Sequence, residues 1–436
     1  MRAAPSEARF HVRTQRQQAC GNWAATTRWE VAMLRRLVAF ILLLPLVACW
    51  DSSGPREPRL LEVFLVLGGS GAAGVEGAGI SKSTQARAWP AILTQRLQLP
   101  FIFAALNEPG CPAPYTSPFT RGFAVPCAGV EGGTPTNVVM LSSVAVPGAQ
   151  LANAFAYAGS ASETMNLTML GAHTQIEIMT QRDPTFVAIQ FGDEELQSVL
   201  KSGDISLIPS AAQFQADLDR TVSALNALHW LKGVLIVGTM DPLRLPLLQP
   251  GAYFFLARDP ASGRFMGKPV NSNCSPVTPL GTPNPLARNL ISFSVVFSNA
   301  PEINCDPAQF GGVLDQTEIA AISQRVADFN NALTAMATQN NWAFVDVRSL
   351  VAPRMLEKNA SGRFTQVRLC QDLATATTAA QFQTAVLNSC PVTGTTAAPN
   401  FFGALFSFDG QTFAPAGHAL LADAAVAAIA QKYPGQ

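Results

Sequence analysis

Ser70 lies in Gly68-Gly69-Ser70-Gly71-Ala72-Ala73-Gly74, directly after an apolar run. Glycines around a serine at the carboxyl end of a buried strand let the backbone turn sharply and leave the hydroxyl at the mouth of a sheet, where α/β folds place ligands. The same turn also suits a phosphate cradle or a plain strand-to-helix connection. A serine hydroxyl is a poor nucleophile at neutral pH unless a positioned base takes its proton. Candidate bases are few. After Cys49 the histidines are His173, His229 and His418, and the carboxylates of interest are the run Asp193-Glu194-Glu195 and Asp409, in Phe408-Asp409-Gly410-Gln411-Thr412-Phe413.

Taken in chain order, these pieces resemble the blocks of the GDSL/SGNH ester hydrolases. Gly68-x-Ser70-x-x-x-Gly74 is similar to the first block, with Gly69 in place of its aspartate. Val144-Ala145-Val146-Pro147-Gly148-Ala149 resembles the second, whose glycine N–H helps form the oxyanion hole. Phe191-Gly192-Asp193-Glu194-Glu195-Leu196 stands where the family has Gly-x-Asn-Asp, and Asp409 to His418 resembles the last block, Asp-x-x-His. The resemblance implies a nucleophile at Ser70, an orienting carboxylate at Asp409, and oxyanion donors at the Ser70 and Gly148 N–H groups. It implies no metal or organic cofactor.

Two positions depart from the pattern in ways that bear on chemistry. Glu194 replaces the oxyanion-hole asparagine and Thr412 replaces the histidine. A carboxylate about 3 Å from a developing oxyanion costs roughly 5 kcal/mol at an effective dielectric near 20, and each 1.4 kcal/mol is tenfold in rate. His418 lies six residues past Thr412, displaced along a helix by about 9 Å at 1.5 Å per residue. Its Ala-Gly-His setting resembles a second, structural histidine of such blocks. A desolvated Glu194 acting as the base is the other alternative. His173 and His229 fall in helical contexts remote from any block, as packing residues.

The elements that must position these groups read as alternating strands and helices. Leu61 to Leu67, Phe186 to Phe191, Gly233 to Thr239 and Trp342 to Val347 are apolar runs suited to buried parallel strands, with a further strand near Phe101 to Leu106. Helical spacing marks Ala211 to Trp230, Ile319 to Ala337 and Ala416 to Tyr433, and a helix from Thr84 to Leu97 that Pro90 kinks or delays. The expected fold is α/β: a three-layer α/β/α sandwich on a flavodoxin-like parallel sheet of about five strands, as the SGNH resemblance implies. Residues 49–436 form one such domain. Two stretches at about 241–314 and 352–405 interrupt the alternation as ordered excursions or plain surface loops.

Arg35-Arg36, the apolar run Leu37 to Leu46 and Leu46-Val47-Ala48-Cys49 resemble a lipoprotein signal, with residues 1–48 as leader and Met33 as an alternative start. A transmembrane anchor is the competing reading of that run. The resemblance implies a mature chain lipidated at Cys49 and held in a bacterial cell envelope, with Trp50 similar to outer-membrane sorting. From Cys49 on, 22 basic and 27 acidic residues leave a net charge of −5, with no basic run, which argues against a nucleic-acid partner. Six later cysteines fall as local pairs, Cys111 with Cys127, Cys274 with Cys305 and Cys370 with Cys390. An exported chain favours disulfides, and no pair has the Cys-x-x-Cys form of zinc or redox sites.

The function expected from the sequence is an exported, lipid-anchored ester hydrolase of carboxylesterase or lipase type with an impaired site. The alternative is a non-catalytic protein that uses the inherited pocket for a lipid, glycan or acylated ligand.

Overall fold

Three five-residue runs, Phe64–Gly68 (β1), Phe186–Gln190 (β2) and Gly233–Val237 (β3), are buried at every position, and Ala343–Val345 (β4) completes a parallel sheet in the order β1-β2-β3-β4. Strands covered on both faces need apolar residues at consecutive rather than alternate positions, as FLVLG, FVAIQ and GVLIV supply. The register sets Phe64 beside Phe186 and Phe186 beside Gly233, so the three strands end level. The computed structural model describes residues 57–117, 120–121, 127–200, 204–309, 312–357 and 402–435. All but Glu57 of these belong to one compact unit, Pro58–Gln436.

Helices close over the sheet. A single turn, Ser70–Ala73 (α1), follows β1, and Trp89–Arg96 (α2) carries Pro90 in its first turn, where no intrahelical N–H is needed. The short helix Asp193–Gln197 (α3) follows β2. Ala211–Asn226 (α4) and Gln316–Gln339 (α5) each open on a capping box, Ser210 with Gln213 and Asp315 with Glu318. They pack together with the Phe214 and Phe329 rings stacked at 3.9 Å. Pro415–Lys432 (α6) packs on α2 and β4, and Tyr433 just beyond it bonds both the N–H and the C=O of Val234 in β3.

Several sequence expectations need correction. The run Thr84 to Leu97 is not one helix: a turn at Lys82–Gln85 ends before Trp89 begins α2, with Pro90 in its first turn. Phe101 to Leu106 forms no strand of the main sheet. Within it Ala104 and Leu106 are buried while Ile102 is exposed, and its bridge is antiparallel, Leu106 to Val130. The edge of β1 is met instead by Ser142 to Val146. Val66 N–H donates to Ser142 O, Val144 N–H to Val66 O, and Val146 N–H to Gly68 O, at 2.9 to 3.0 Å, with a parallel bridge between Val66 and Ser143. His173 and His229 lie in loops at the surface rather than within helices.

The described residues of the stretch 241–314 form ordered structure. Leu248–Pro250, Leu290–Ser292 and Val313–Leu314 form a small antiparallel sheet, and the Phe254, Phe265 and Phe293 rings pack edge to face beside it. Cys274 and Cys305 are disulfide-bonded with Cα atoms 5.3 Å apart, and Cys111 and Cys127 with Cα atoms 4.2 Å apart. Cys370, Cys390, Cys49, the leader 1–48 and most of the stretch 352–405 lie outside the described residues. Among the described residues no helix is long and apolar enough to cross a membrane.

Candidate active site

Ser70 owes its place to the way β1 ends. Gly68, the last strand residue, bonds the buried Gln175 side chain twice: its N–H donates to Oε1 at 2.8 Å and its C=O accepts from Nε2 at 3.0 Å. Gly69 then turns the chain in space that no side chain can share. A Cβ there would lie 2.6 Å from Ala149 O and 3.0 Å from Glu194 Cγ. Ser70 follows as the first residue of α1, half-buried, with its hydroxyl directed at the next segment along the sheet edge.

That segment supplies a donor. Ser142 to Val146 runs along β1 into the turn Pro147-Gly148, and the Gly148 N–H donates to Ser70 Oγ at 2.9 Å. Gly148 has φ +75°, a left-handed conformation that disfavours side chains, although a Cβ there would meet only Ser162 Cβ, at an ordinary 3.8 Å. The turn is bolted from behind by Glu195, which accepts from Leu151 N–H at 2.6 Å and from Gly192 N–H at 3.0 Å.

The other expected oxyanion donor is engaged by a carboxylate. Ser70 N–H donates to Glu194 Oε1 at 3.1 Å. Glu194 stands between two carboxyl groups that burial pushes up to about 7, Asp193 and Glu195, and its charge adds to the shift of both. Asp193 is partly exposed as a residue, but its carboxyl is enclosed, accepting from Met240 N–H at 2.8 Å and from Gln190 Nε2 at 3.0 Å.

Asp409 is buried and its acceptor capacity is spent on structure. Oδ1 accepts from Ser407 Oγ and from the Gln411 and Thr412 N–H groups, and Oδ2 accepts from Ala78 N–H at 2.7 Å and Thr412 Oγ1 at 2.8 Å. Gly77 N–H donates to Ser407 Oγ at 2.9 Å, with a longer contact to Thr412 Oγ1 at 3.2 Å. The loop after α1 is thus tied to the loop before α6. Ala78 is held at φ +53°, a strained conformation for a residue with a Cβ.

No imidazole stands in for Thr412. His418, in the first turns of α6, is buried, accepts the Trp89 N–H on Nδ1 at 3.2 Å and has no partner at Nε2. Burial drives its pKa down to about 3, so it is neutral. His173 and His229 are exposed; His173 lies near Glu177, and His229 N–H donates to Asp183.

Ser70, Gly148, Glu194, Asp409 and Thr412 all line one cavity of about 360 Å³, although up to 342 residues separate them in sequence. Leu247, Ser292 and Ser294 from the 241–314 excursion and Cys111 from the first disulfide loop complete its wall. Sequence reasoning did not single out Ser407, Ala78, Gln175 or Tyr115, and it gave Glu195 no role of its own. Ser407 sits only two residues before Asp409, in a position suited to a hydroxyl that donates to the following carboxylate, and that proximity was the available signal. Among the described residues no group of three or more His, Cys, Asp and Glu side chains is placed to hold a metal ion. No known protein-family pattern matches this chain, and no curated protein matches it.

Proposed function

We propose that the chain is a GDSL/SGNH-like ester-hydrolase scaffold with an impaired catalytic site, whose cavity accepts an ester or acylated small molecule, lipid or glycan. The observation that carries this reading is the Gly148 N–H on Ser70 Oγ at 2.9 Å, at the carboxyl end of β1: a serine hydroxyl and a backbone donor face each other where an acyl group would sit. The topology supports it too. With Ser142 to Val146 counted beside β1, the sheet order becomes the doubly wound 2-1-3-4-5, whose switch point lies beside β1. On this reading the fold is a three-layer α/β/α sandwich of five strands.

In an intact site a base would take the Ser70 proton, Oγ would attack the ester carbonyl, and the Ser70 and Gly148 N–H groups would hold the oxyanion. Here Glu194 occupies the first of those donors and Thr412 offers Asp409 a hydroxyl instead of an imidazole. Hydrolysis is therefore slow or absent. The second reading, a ligand-binding protein without turnover, is favoured by the five hydrogen bonds that make Asp409 part of a structural knot. The proposed setting is a lipid anchor at Cys49 in the cell envelope.

A fluorophosphonate probe tests the site, because it labels a serine only where a base and oxyanion donors activate it. The impaired reading predicts labelling no greater than that of Ser70→Ala. Rapid labelling lost in Ser70→Ala would establish an active serine hydrolase and refute the impairment.

A further inference from the structure

Two apolar side chains stand out from the 241–314 excursion at the tips of tight turns. Leu280 is 90% exposed, in a turn that Gly281 N–H closes on Thr278 O at 2.9 Å, with Pro279 before it. The turn is braced below. Thr278 N–H donates to Thr282 O at 2.8 Å, the two threonine hydroxyls meet at 2.7 Å, and Val277 bridges Pro283. Asn284 Nδ2 donates to Asn273 O and Ser275 O, on either side of the Cys274 that is disulfide-bonded to Cys305. Met266 is 49% exposed at the tip of a second hairpin, which pairs Arg264 and Phe265 with Pro269 and Lys268. Its two-residue turn, Met266-Gly267, has φ +47° and +86°, the primed geometry that suits a hairpin. Phe265 roots this hairpin in the aromatic cluster with Phe254 and Phe293. Both tips are therefore held out by ordered backbone.

The charge around them is of one sign. Residues 260–301 contain Arg264, Lys268 and Arg288 and no Asp or Glu, in a chain whose net charge from Cys49 on is −5. Arg264 is exposed, and Lys268 is half-buried with its ammonium on Ser298 O and Ala300 O. Of the carboxylates that bound the stretch, Asp259 lies at the base of the Met266 hairpin, where it accepts from Ala261 N–H and Ser262 Oγ, and Glu302 accepts from Asn271 and Asn304. A protein partner needs a continuous contact of about 1,000 Å² or more, with side chains that fill pockets, and a lone leucine on a proline-braced turn does not supply one. A lipid surface asks for less: separate apolar side chains enter the boundary between headgroups and acyl chains, and cations beside them gain from anionic headgroups. We propose that this excursion docks on an anionic lipid surface, with Leu280 and Met266 entering the acyl boundary and Arg264 and Lys268 at headgroup level. Ser292 and Ser294 of the same excursion line the Ser70 cavity, but the proposal goes beyond the ester-hydrolase reading and does not rest on it.

A tryptophan placed at a tip reports entry into the bilayer through quenching by brominated acyl chains. Leu280→Trp, Met266→Trp and, as a control, Ser223→Trp at an exposed position of α4 are made in the full chain with its disulfides intact. Each is read as a difference from the parent spectrum, with vesicles of phosphatidylcholine alone and of its equimolar mixture with phosphatidylglycerol. Both tip variants should be quenched, at about tenfold lower lipid concentration in the anionic mixture, and the control should not be. Leu280→Ser in the Met266→Trp background should raise the lipid needed by about tenfold, because the leucine no longer leaves water. Arg264→Gln should raise it about threefold in the anionic mixture and leave the neutral vesicles unchanged. No quenching at either tip, equal quenching in the two kinds of vesicle, an unchanged response to Leu280→Ser, or a control quenched as strongly as the tips would overturn the proposal. The first of these outcomes would assign the exposed tips to a protein partner instead. None of the readouts involves Ser70, so the ester-hydrolase reading stands or falls by its own test.

Discussion

Glu194 Oε1 accepts the Ser70 backbone N–H at 3.1 Å, while Glu194 Cγ fills the space where a Cβ on Gly69 would lie. The glycine and the glutamate therefore belong together: the turn before the serine is bare because the carboxylate arm and the Ala149 carbonyl already occupy its flank.

Gly69→Ala tests that fit. A Cβ 2.6 Å from a backbone oxygen forces the 147–149 turn or Glu194 to move, so the variant should lose about 2 kcal/mol of stability in urea unfolding. Gly69→Ala combined with Glu194→Ala should recover only part of the loss, because the Ala149 carbonyl remains. A neutral Gly69→Ala would contradict the close approach.

Asp409→Ala should behave as a structural lesion. It removes the acceptor for the Ala78, Gln411 and Thr412 N–H groups and for two hydroxyls, and buried donors left unmatched cost about 1 to 3 kcal/mol each where water cannot reach them. A loss of at least about 3 kcal/mol is expected from the urea midpoint. Thr412→Val, which keeps shape and removes one hydroxyl, should cost less. Equal, small losses in both would show that the knot does not hold the two loops together.

Glu195 makes stability depend on pH. Its carboxyl is raised by burial from an ordinary 4.5 to about 7, so between those values the folded chain keeps a proton that the unfolded chain releases. Its contribution is complete below pH 4.5 and is lost as pH rises through about 7, at up to about 1.4 kcal/mol per pH unit. Asp193 titrates in the same direction, so only the difference between variants isolates one group. Glu195→Gln is expected to lower stability at pH 5 and to fall less steeply between pH 5 and 7.5, as read from urea midpoints across that range. Parallel pH profiles for parent and variant would contradict the buried titration.

The main sheet was legible because its strands are buried on both faces and so appear as unbroken apolar runs, Phe186 to Gln190 being the clearest. Helices α4 and α5 were legible from their apolar spacing, but α5 begins at Gln316, three residues before Ile319, because its first turn is set by the Asp315 cap rather than by apolar residues. The edge of β1 was not legible. Phe101 to Leu106 has the more strand-like side chains, but Ser142 to Val146 makes the backbone bonds to Val66 and Gly68, and those long-range pairings leave no local signature. At the site, residue types marked Ser70, Gly148, Glu194, Asp409 and Thr412, which do line one cavity. The partners that hold them were not marked, because Gln175 and Ala78 act through hydrogen bonds across more than a hundred residues.

The central proposal is that the cavity around Ser70 has no histidine base among the described residues and has one oxyanion donor engaged by a carboxylate. It is tested most directly by turnover of a short-chain aryl ester at neutral pH by the parent, by Thr412→His with Glu194→Asn, and by that pair with Ser70→Ala. The parent should match the Ser70→Ala background. The double variant should gain turnover that Ser70→Ala abolishes, and each single variant should gain much less, because a base and an oxyanion donor act as one unit. Robust Ser70-dependent turnover in the parent would contradict the account.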